Sequence, residues 1–517
     1  MKKMFFLALL SMMFFVLAAC TEETAGGEDS GGEGSGDGGD SKDSIVIGFE
    51  SDAATLMANT DVNYVTDAQI RNIYEPLIER DIETKDYVPN LAESWENIDE
   101  LTWRFQLKEG VTFHNGAEFN ADAVKFSIDY ILDESNQSFY RSRWVDIEEV
   151  TVISPYEIEI TTSRPFPDLM ERITEDLLIM EPGYVEDVGN DTASNEPVGT
   201  GPYQFVEWSR DNHLKLEAYD DYWKGEPEIK NVEFRYIPEF SSRLSAFLSG
   251  EVDLFKNIPV DSVAEIENDD NSKIGEASSS RINYVALNTF HDGPLQDQKV
   301  RQAINYAVDV DSLLENVLNG YGTKITGPLS PVNSGYVETE DYGYDPDKAV
   351  ELIEEAGYTP EEISLTLETP SGRYPMDNQV AQAIAAQLGE IGIQVDVSVN
   401  EWGNHLERIQ NREMGDMFIL GWGPAFEQQG TIGNLFTEDA PYSSFHDEEI
   451  DQEIYDANGT FDPDDRFDAY AELQRKLVEQ AVWVPLWQQA DLYAVRSDLD
   501  FEPRVDERIV IYDMSWE

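Results

Sequence analysis

Alternation of hydrophobic and polar positions is clearest in the C-terminal half of the chain. In residues 363–369 and again in 393–399 apolar and polar residues alternate, as in a half-buried strand. Between these segments apolar residues recur at helical spacing over 376–391, and Gly392 ends the helix. This order predicts a strand–helix–strand unit with parallel strands. The apolar segment 416–422 predicts a further strand of the same sheet.

Capping residues mark further helices. An aspartate, alone or before a proline, begins a helix because its side chain accepts a backbone N–H and proline suits the first helical position. A glycine beyond the last apolar position ends it. These signals predict helices from Asp297 to Gly320, from Asp345 to Gly357 and from Asp462 to Gln480. The apolar segment 482–487 that follows predicts a buried strand, which we expect to return to the first domain.

The N-terminal half is patterned differently, with many short β segments and one clear helix. That helix spans Ala121–Asp133 and is capped by Asn120. The pattern predicts a mixed α/β protein with more than one sheet. The predicted strands are 45–49, 101–107, 150–153, 157–161, 214–219 and 232–236.

The first 43 residues have a composition of their own. Two lysines precede an apolar run over 4–19, which is typical of a secretory signal and short for a membrane-spanning helix. The run ends in small residues before Cys20, the only cysteine of the chain, and this resembles the bacterial lipobox. We therefore expect a signal peptide over 1–19, a lipidated Cys20, and a flexible acidic Gly/Ser-rich tether over 20–43.

The overall charge is strongly negative. The chain has 517 residues, with 35 Lys and Arg against 104 Asp and Glu, for a formal net charge of −69. A nucleic-acid partner is excluded, because binding to nucleic acid needs clustered basic charge. The acids are spread along the whole chain, whereas acidic interaction surfaces usually form blocks. We interpret the charge as adaptation to a salty outside medium, with an acidic interaction surface as the alternative.

Motifs of catalysis are not found in the sequence. The five histidines are not at metal-ligand spacing, and the sequence has no H-E-x-x-H, C-x-x-C or phosphate-binding G-x-x-x-x-G-K-[ST] pattern. Paired carboxylates for glycoside hydrolysis remain open, since only their separation in space would identify them. The sequence therefore predicts no metal, no cofactor and no enzymatic activity.

Eight motifs follow one another along the chain from residue 44 onward. They are Asn72–Ile78, Pro89–Trp95, Trp103–Val111, Phe113–Phe126, Pro197–Tyr203, Gly250–Asp253, Val300–Val308 and Leu420–Trp422. Together they resemble the extracellular solute-binding proteins of the peptide/nickel uptake family, which serve ATP-binding-cassette (ABC) importers. Each motif alone is weakly specific, whereas eight in the expected order are highly specific.

The resemblance implies an α/β, two-lobed, periplasmic-binding-protein-like fold with an additional inserted β-rich domain. The first lobe would be discontinuous, formed by 44–75, 198–284 and 482–517. The inserted domain would comprise 76–197, and the second lobe 285–481. The ligand would lie between the lobes, which close by hinge rotation.

The function implied is that of a lipid-anchored importer component at the outer face of the bacterial cytoplasmic membrane. It would capture di- or oligopeptides as a monomer and deliver them to membrane permease subunits. The same fold would also allow an oligosaccharide, chelated nickel, or a signalling peptide recognised by a receptor. A secreted hydrolase is the alternative from a different class.

Ligand residues carry over only in part. Peptide-binding members show Trp-x-x-Asp, whose aspartate pairs with the peptide amine, but here the segment is Trp422-Gly423-Pro424-Ala425. The anchor is missing, and Glu427 is the nearest carboxylate. The arginine that some dipeptide binders use for the carboxylate end would fall near Gln379, with Arg373 the nearest cation. The predicted ligand-binding residues are Trp422, Gly423, Glu427, Arg373, Tyr374, Trp402, Tyr284 and Asn288.

Overall fold

The computed structural model describes residues 42–61, 63–423 and 425–517. The predicted signal peptide, the predicted lipidation site at Cys20 and the predicted tether as far as residue 41 lie outside them. No helix within the described ranges is both long enough and apolar enough to cross a membrane.

Strands and helices are interspersed along the described chain. The strands are β1 Ser44–Phe49, β2 Ile78–Arg80, β3 Tyr87–Pro89, β4 Ala92–Asp99, β5 Thr102–Leu107, β6 Ile147–Ser154, β7 Glu157–Thr162, β8 Tyr203–Ser209, β9 His213–Ala218, β10 Asn231–Tyr236, β11 Leu254–Lys256, β12 Ser272–Leu287, β13 Thr323–Lys324, β14 Ser364–Pro370, β15 Gln394–Asn400, β16 Met417–Trp422, β17 Trp483–Arg496, β18 Leu499–Asp500 and β19 Ser515–Trp516. The helices are α1 Tyr64–Ile70, α2 Ala121–Leu132, α3 Arg141–Trp144, α4 Leu169–Glu175, α5 Pro182–Val188, α6 Asn190–Ala193, α7 Phe240–Leu248, α8 Val263–Glu267, α9 Gln298–Ala307, α10 Val310–Asn316, α11 Pro346–Glu355, α12 Asp377–Glu390, α13 Trp402–Gln410, α14 Gln428–Leu435, α15 Glu448–Gly459 and α16 Pro463–Glu479.

A large mixed sheet runs through both lobes. Its strand order is β15-β14-β16-β12-β17-β11-β1-β10-β9-β8, with β13 paired to β17. The two long strands β12 and β17 pair antiparallel from Ser272 opposite Arg496 to Ala286 opposite Trp483. Because β11 pairs with the far end of β17 and β16 with the near end of β12, these two strands join the lobes.

The inserted domain has a separate antiparallel sheet, in the order β4-β5-β7-β6. Its core contains Phe105, Phe113 and Trp144. Leu178 and Val185, although they belong to the segment 76–197, pack instead in the core of the first lobe. The second lobe has two cores, which lie on opposite faces of its part of the large sheet.

The strand–helix–strand prediction is confirmed. Strand β14 pairs parallel with both β15 and β16, and α12 connects β14 to β15. Parallel pairing requires such a crossover connection, so the periodicity alone determined this local topology.

One helix prediction in the second lobe is corrected, and one strand prediction near the C-terminus is extended. The helix predicted from Asp297 to Gly320 is two helices, α9 and α10, because Val308 is extended (φ −97°, ψ 114°) and Asp309 caps a new helix by accepting the Ser312 N–H. The strand predicted over 482–487 is β17, which continues to Arg496.

Candidate functional site

A cavity of about 300 Å³ lies where the two lobes and the inserted domain meet. Helix α1 and the segment 506–508 line it from the first lobe, and α4 lines it from the inserted domain. The end of β16 and the start of α13 complete the wall from the second lobe. Its lining includes four arginines, six carboxylates and several aromatic rings, which are Arg71, Arg143, Arg172, Arg508, Asp67, Glu171, Glu175, Asp176, Asp506, Glu507, Tyr64, Tyr140, Trp402, Trp422, Phe426 and Tyr442.

Arg508 joins the first lobe to the inserted domain. Its Nη2 donates to Glu175 Oε2 at 2.5 Å, and its guanidinium lies 3.5 Å from Asp67 and 3.6 Å from Asp506. Burial alone would lower the pKa of Arg508, but the carboxylates outweigh burial and hold that pKa above its usual value. This wall of the cavity therefore carries fixed charges of both signs.

The other three arginines are also paired with acids or carbonyls. Arg71 Nε donates to Asp67 at 2.6 Å, and its Nη2 donates to the Glu175 carbonyl at 2.5 Å. Arg143 lies 3.1 Å and Arg172 3.5 Å from Asp176. The protein therefore holds the side chains of these arginines in fixed orientations before a ligand binds.

Glu175 has one oxygen without a partner. Its Oε2 accepts from Arg508, whereas Oε1 is buried and has no hydrogen-bond partner among the described residues. An unpartnered buried carboxylate oxygen is costly, and a donor from a ligand would satisfy it. Glu175 is not among the ligand-binding residues predicted from the sequence.

Two indoles are among the aromatic rings of the wall. Trp402 and Trp422, two of the predicted ligand-binding residues, both line the cavity, and the centroid of the Trp422 ring lies 5.1 Å from that of Tyr442. The Trp422 Nε1–H donates to the Gly430 carbonyl at 2.9 Å. This N–H is therefore used within the protein, and Trp422 offers the cavity a flat apolar face.

Gly423 also lines the cavity and requires glycine for two reasons. Its φ is +149°, and a Cβ there would lie 2.7 Å from the Arg281 Cα. The backbone thus passes against β12 at a distance that no side chain permits.

Arg373 and Tyr374 stand behind the cavity wall. The Arg373 guanidinium lies 5.1 Å from the Trp402 ring, and it makes no ion pair or hydrogen bond with the described residues. Burial, with the charge of Arg281, lowers the pKa of Arg373. Tyr374 is buried and donates to the Gly421 carbonyl at 3.2 Å. Neither residue is part of the lining of this cavity.

Glu427 is engaged with the inserted domain and does not line this cavity. Its Oε1 accepts from Arg80 Nη2 and from the Tyr87 hydroxyl, each at 3.0 Å. It is therefore not placed to replace the missing amine anchor. It lines a second cavity of about 220 Å³ between the inserted domain and the second lobe.

Tyr284 and Asn288, also predicted as ligand-binding residues, lie in the protein core. Tyr284 is 1% exposed and stacks on Trp483 with ring centroids 3.6 Å apart. Asn288 Nδ2 donates to the carbonyls of Met414 and Gly415. Both side chains are used in packing and backbone hydrogen bonds, and neither reaches the cavity.

A buried charge cluster supports the cavity from the junction of the lobes. Glu507 lies 2.9 Å from Lys256 and 3.2 Å from Arg281, and it accepts from the Ser279 hydroxyl at 3.0 Å. Burial would raise the pKa of Glu507, but Arg281 and Lys256 outweigh it and hold the pKa well below its usual range. Asp491 of β17 completes the cluster, 3.1 Å from Lys256.

Among the described residues, one group of side chains could hold a metal ion, and it lies outside the cavity. It consists of Glu438, His446 and Asp451. His446 Nδ1 lies 3.8 Å and 3.6 Å from the two carboxylates, which is the separation of an ordinary ion pair. No histidine is among the described residues that line the cavity itself.

Residues 86–444 match the sequence model of the family described as "Bacterial extracellular solute-binding proteins, family 5 Middle". This match covers more than half of the chain. The chain belongs to this family. It is a solute-binding protein of the peptide/nickel ABC type, facing the outside of the cell, and not an enzyme.

Curated relatives and solved structures agree with this assignment. The solute-binding protein is 27% identical over 458 residues to the glutathione-binding protein GsiB of Salmonella typhi, covering 86% of this chain and 88% of the relative. It superposes on the ABC transporter substrate-binding protein CtaP of Listeria monocytogenes with a TM-score of 0.85 at 23% identity, over 92% and 99% of the two chains. DppA of Helicobacter pylori, solved with the peptide STSA, gives 0.77 at 25% identity over 92% and 98%. The predicted two-lobed fold is confirmed.

The charged residues of the cavity were missed by sequence analysis of the solute-binding protein. Arg508 and Glu175 are far apart in the chain, and acids are so numerous that no single one stands out. The chain has only 35 Lys and Arg residues, but the grouping of four of them around one cavity is visible only in the folded protein. Four arginines around one cavity are therefore a notable concentration.

Proposed function

We propose that this protein is the lipid-anchored substrate-binding component of an ABC importer and that it captures short peptides in the 300 Å³ cavity. Membership of the family and the name of the relative GsiB support a small peptide such as glutathione as the first ligand to test. The cavity is at the small end of ligand sites, which span roughly 300–1,000 Å³.

The observation that carries the proposal is the pairing of charges around the cavity. A peptide brings an ammonium and a carboxylate into the same small space, and the wall offers both signs. Glu175 Oε1 is the acceptor available for the ammonium, and arginines such as Arg508 and Arg143 are the donors for a carboxylate. Trp402 and Trp422 would cover the apolar parts of the ligand.

The charge distribution also separates the alternatives. A neutral oligosaccharide brings neither an ammonium for Glu175 Oε1 nor a carboxylate for the arginines, so it would use the charged wall less fully than a peptide does. A nickel chelate held by converging arginine and histidine lacks the histidine among the described lining residues. The peptide is therefore the ligand class that the wall favours.

Binding would be coupled to closure of the lobes. A ligand in this cavity touches both lobes and the inserted domain, so its binding free energy favours the arrangement in which these parts meet. In the proposal, the closed form is what the permease subunits recognise. Lipidation at Cys20 would keep the protein, as a monomer, near the permease.

Isothermal titration with glutathione, dipeptides and tripeptides tests the ligand. We expect binding by the unmodified protein and at least tenfold weaker binding by Glu175→Gln, which removes the charge and keeps the shape. Glu186→Gln, an exposed glutamate of α5, is the matched control and should bind as the unmodified protein does. Absence of binding to every peptide would refute the ligand assignment.

The anchor and the importer role need a separate experiment. Cys20→Ser should release the protein from the membrane fraction of its producing cells into the medium, and the mature chain should lose the mass of its acyl groups. Uptake of a labelled peptide by cells should fall when the gene is deleted. Normal uptake in the deletion strain would favour the signalling-receptor alternative.

A further inference from the structure

The two cavities are separated by a wall in which adjacent residues of the chain line opposite sides. Phe426 lines the first cavity and the residue after it, Glu427, lines the second. Glu171 lines the first cavity and the residue before it, Met170, lines the second. The chain thus passes through the wall twice, once from the second lobe and once from the inserted domain. Arg80 lies at this place and lines neither cavity.

Arg80 holds the two faces of the wall together. Its Nη2 donates to Glu171 on the side of the first cavity, and to Glu427 on the side of the second at 3.0 Å. Its guanidinium also lies 5.3 Å from the Phe426 ring and 4.5 Å from the Tyr87 ring. Only 2% of its side chain is exposed.

The wall exists only where two parts of the chain meet. Arg80 ends β2 of the inserted domain, whereas Phe426 and Glu427 precede α14 of the second lobe. A second contact nearby, from Lys85 Nζ to the Pro331 carbonyl at 2.6 Å, joins the same two parts. A ligand that reached from one cavity into the other would have to separate Arg80 from its carboxylates, and buried charges left unpaired are strongly unfavourable.

We propose that Arg80 sets the maximum length of the ligand by closing the first cavity against the second. This inference rests on the proposed peptide-binding function and adds a length limit to it. The unmodified protein accepts peptides that fit the first cavity, of two or three residues. Longer peptides are rejected because the wall occupies the path of their fourth residue.

The second cavity has the chemistry to accept what the wall now excludes. Its apolar lining includes the rings of Tyr87, Trp103 and Phe461 and the side chain of Met170, and the polar residues Asp168, Glu427, Arg466 and Asn97 also line it. Such a lining favours an apolar or aromatic side chain. A protein without the wall should therefore gain affinity most for longer peptides that carry an aromatic residue beyond the third position.

A ladder of peptides tests the length limit. Alanine peptides of two to six residues, each made with phenylalanine at either end, are titrated into the unmodified protein and into Arg80→Ala. We expect the unmodified protein to bind the di- and tripeptides at least tenfold more tightly than the tetra- to hexapeptides. Arg80→Ala should bring the two groups within threefold of one another. Arg104→Ala, which removes a more exposed arginine of the same domain, should keep the tenfold preference for di- and tripeptides.

Arg80→Ala leaves Glu171 and Glu427 without their cation, so a second variant guards against loss of the fold. Arg80→Ala combined with Glu171→Gln and Glu427→Gln removes the uncompensated charges and should show the same loss of the length limit. Circular dichroism and thermal melting confirm that each variant is folded.

The outcomes separate the two proposals. Binding of short peptides with an unchanged ladder in the folded variants would overturn the role of Arg80. Equal binding of short and long peptides by the unmodified protein would also overturn it, without any variant. Binding of no peptide by the unmodified protein would instead overturn the proposed function, and this inference with it.

Discussion

Nη2 of Arg508 lies 2.5 Å from Oε2 of Glu175, and this ion pair joins the first lobe to the inserted domain across the wall of the cavity. Both side chains are mostly buried, with 13% and 21% of their surfaces exposed. The same ion pair therefore forms part of the cavity wall and stabilises the interface between the first lobe and the inserted domain.

Replacing Arg508 by methionine should destabilise the protein. The change leaves Glu175, Asp67 and Asp506 without their shared cation, and removing one partner of a buried ion pair costs roughly 3 kcal/mol. Urea unfolding measures the difference. Arg508→Met combined with Glu175→Gln should recover part of the loss, because fewer charges remain uncompensated. A single variant as stable as the unmodified protein would show that the ion pair contributes nothing.

Trp422→Ala should weaken peptide binding about tenfold while the protein stays folded. The substitution removes the flat face that lines the cavity, worth about 1–3 kcal/mol when a large side chain is covered by ligand. Trp422→Phe keeps a flat ring and loses only the hydrogen bond to Gly430, so it should retain most of the affinity. Titration calorimetry compares the three proteins, and equal affinity in all of them would remove Trp422 from the site.

Asp168 should make the stability depend on pH. Burial raises the pKa of Asp168 to about 6 from its ordinary value of 3.8, although the charge of Arg172 opposes this. Between these two values the folded protein holds a proton that the unfolded chain has released, so this group's contribution to the free energy of unfolding falls as the pH rises. Asp168→Asn removes that loss. It should be more stable than the unmodified protein at pH 7, on the order of 2 kcal/mol, and nearly equal at pH 4.

The measurement for Asp168 is urea unfolding of both proteins at pH 4 and pH 7. Asp221→Asn, an exposed aspartate, is the control and should show the same stability difference from the unmodified protein at both pH values. A difference for Asp168→Asn that does not grow with pH would contradict the assignment.

The net charge of −69 predicts a strong response to salt. Repulsion among dispersed carboxylates opposes folding at low ionic strength, and the screening length falls to about 3 Å at 1 M salt. The melting temperature should therefore rise steeply between 0.01 M and 1 M sodium chloride. Sucrose at matched osmolality is the control and should produce a smaller rise. A melting temperature independent of salt would refute the proposed adaptation to a salty medium.

Local periodicity predicted the regular part of the second lobe well. The alternation in 363–369 and 393–399 corresponds to β14 and β15, and the helical spacing between them corresponds to α12. The division of one predicted helix at Val308 was missed because Asp309 lies within an otherwise continuous helical pattern. Whether a second aspartate such as Asp309 begins a new helix depends on how the chain packs around that position.

The site was predicted less completely. Trp422, Gly423 and Trp402 line the cavity, since they lie at the strand end and helix start where open sheets place ligands. Arg373 and Tyr374 lie one layer behind, and Glu427 faces the second cavity. A loop position predicts which end of the sheet a residue occupies, but the direction of its side chain depends on what packs against it.

The sequence by itself determined the family, the local strand and helix order, and the acidity of the surface, because these depend on residues close together in the chain or on composition. Only the tertiary structure determined which charged residues surround the cavity. Arg508 and Glu175 are separated by 333 residues, and their contact exists because α1, α4 and the segment 506–508 meet at one place in the fold. No local pattern records such a meeting, since the free energy that brings these segments together comes from cores elsewhere in both parts of the chain.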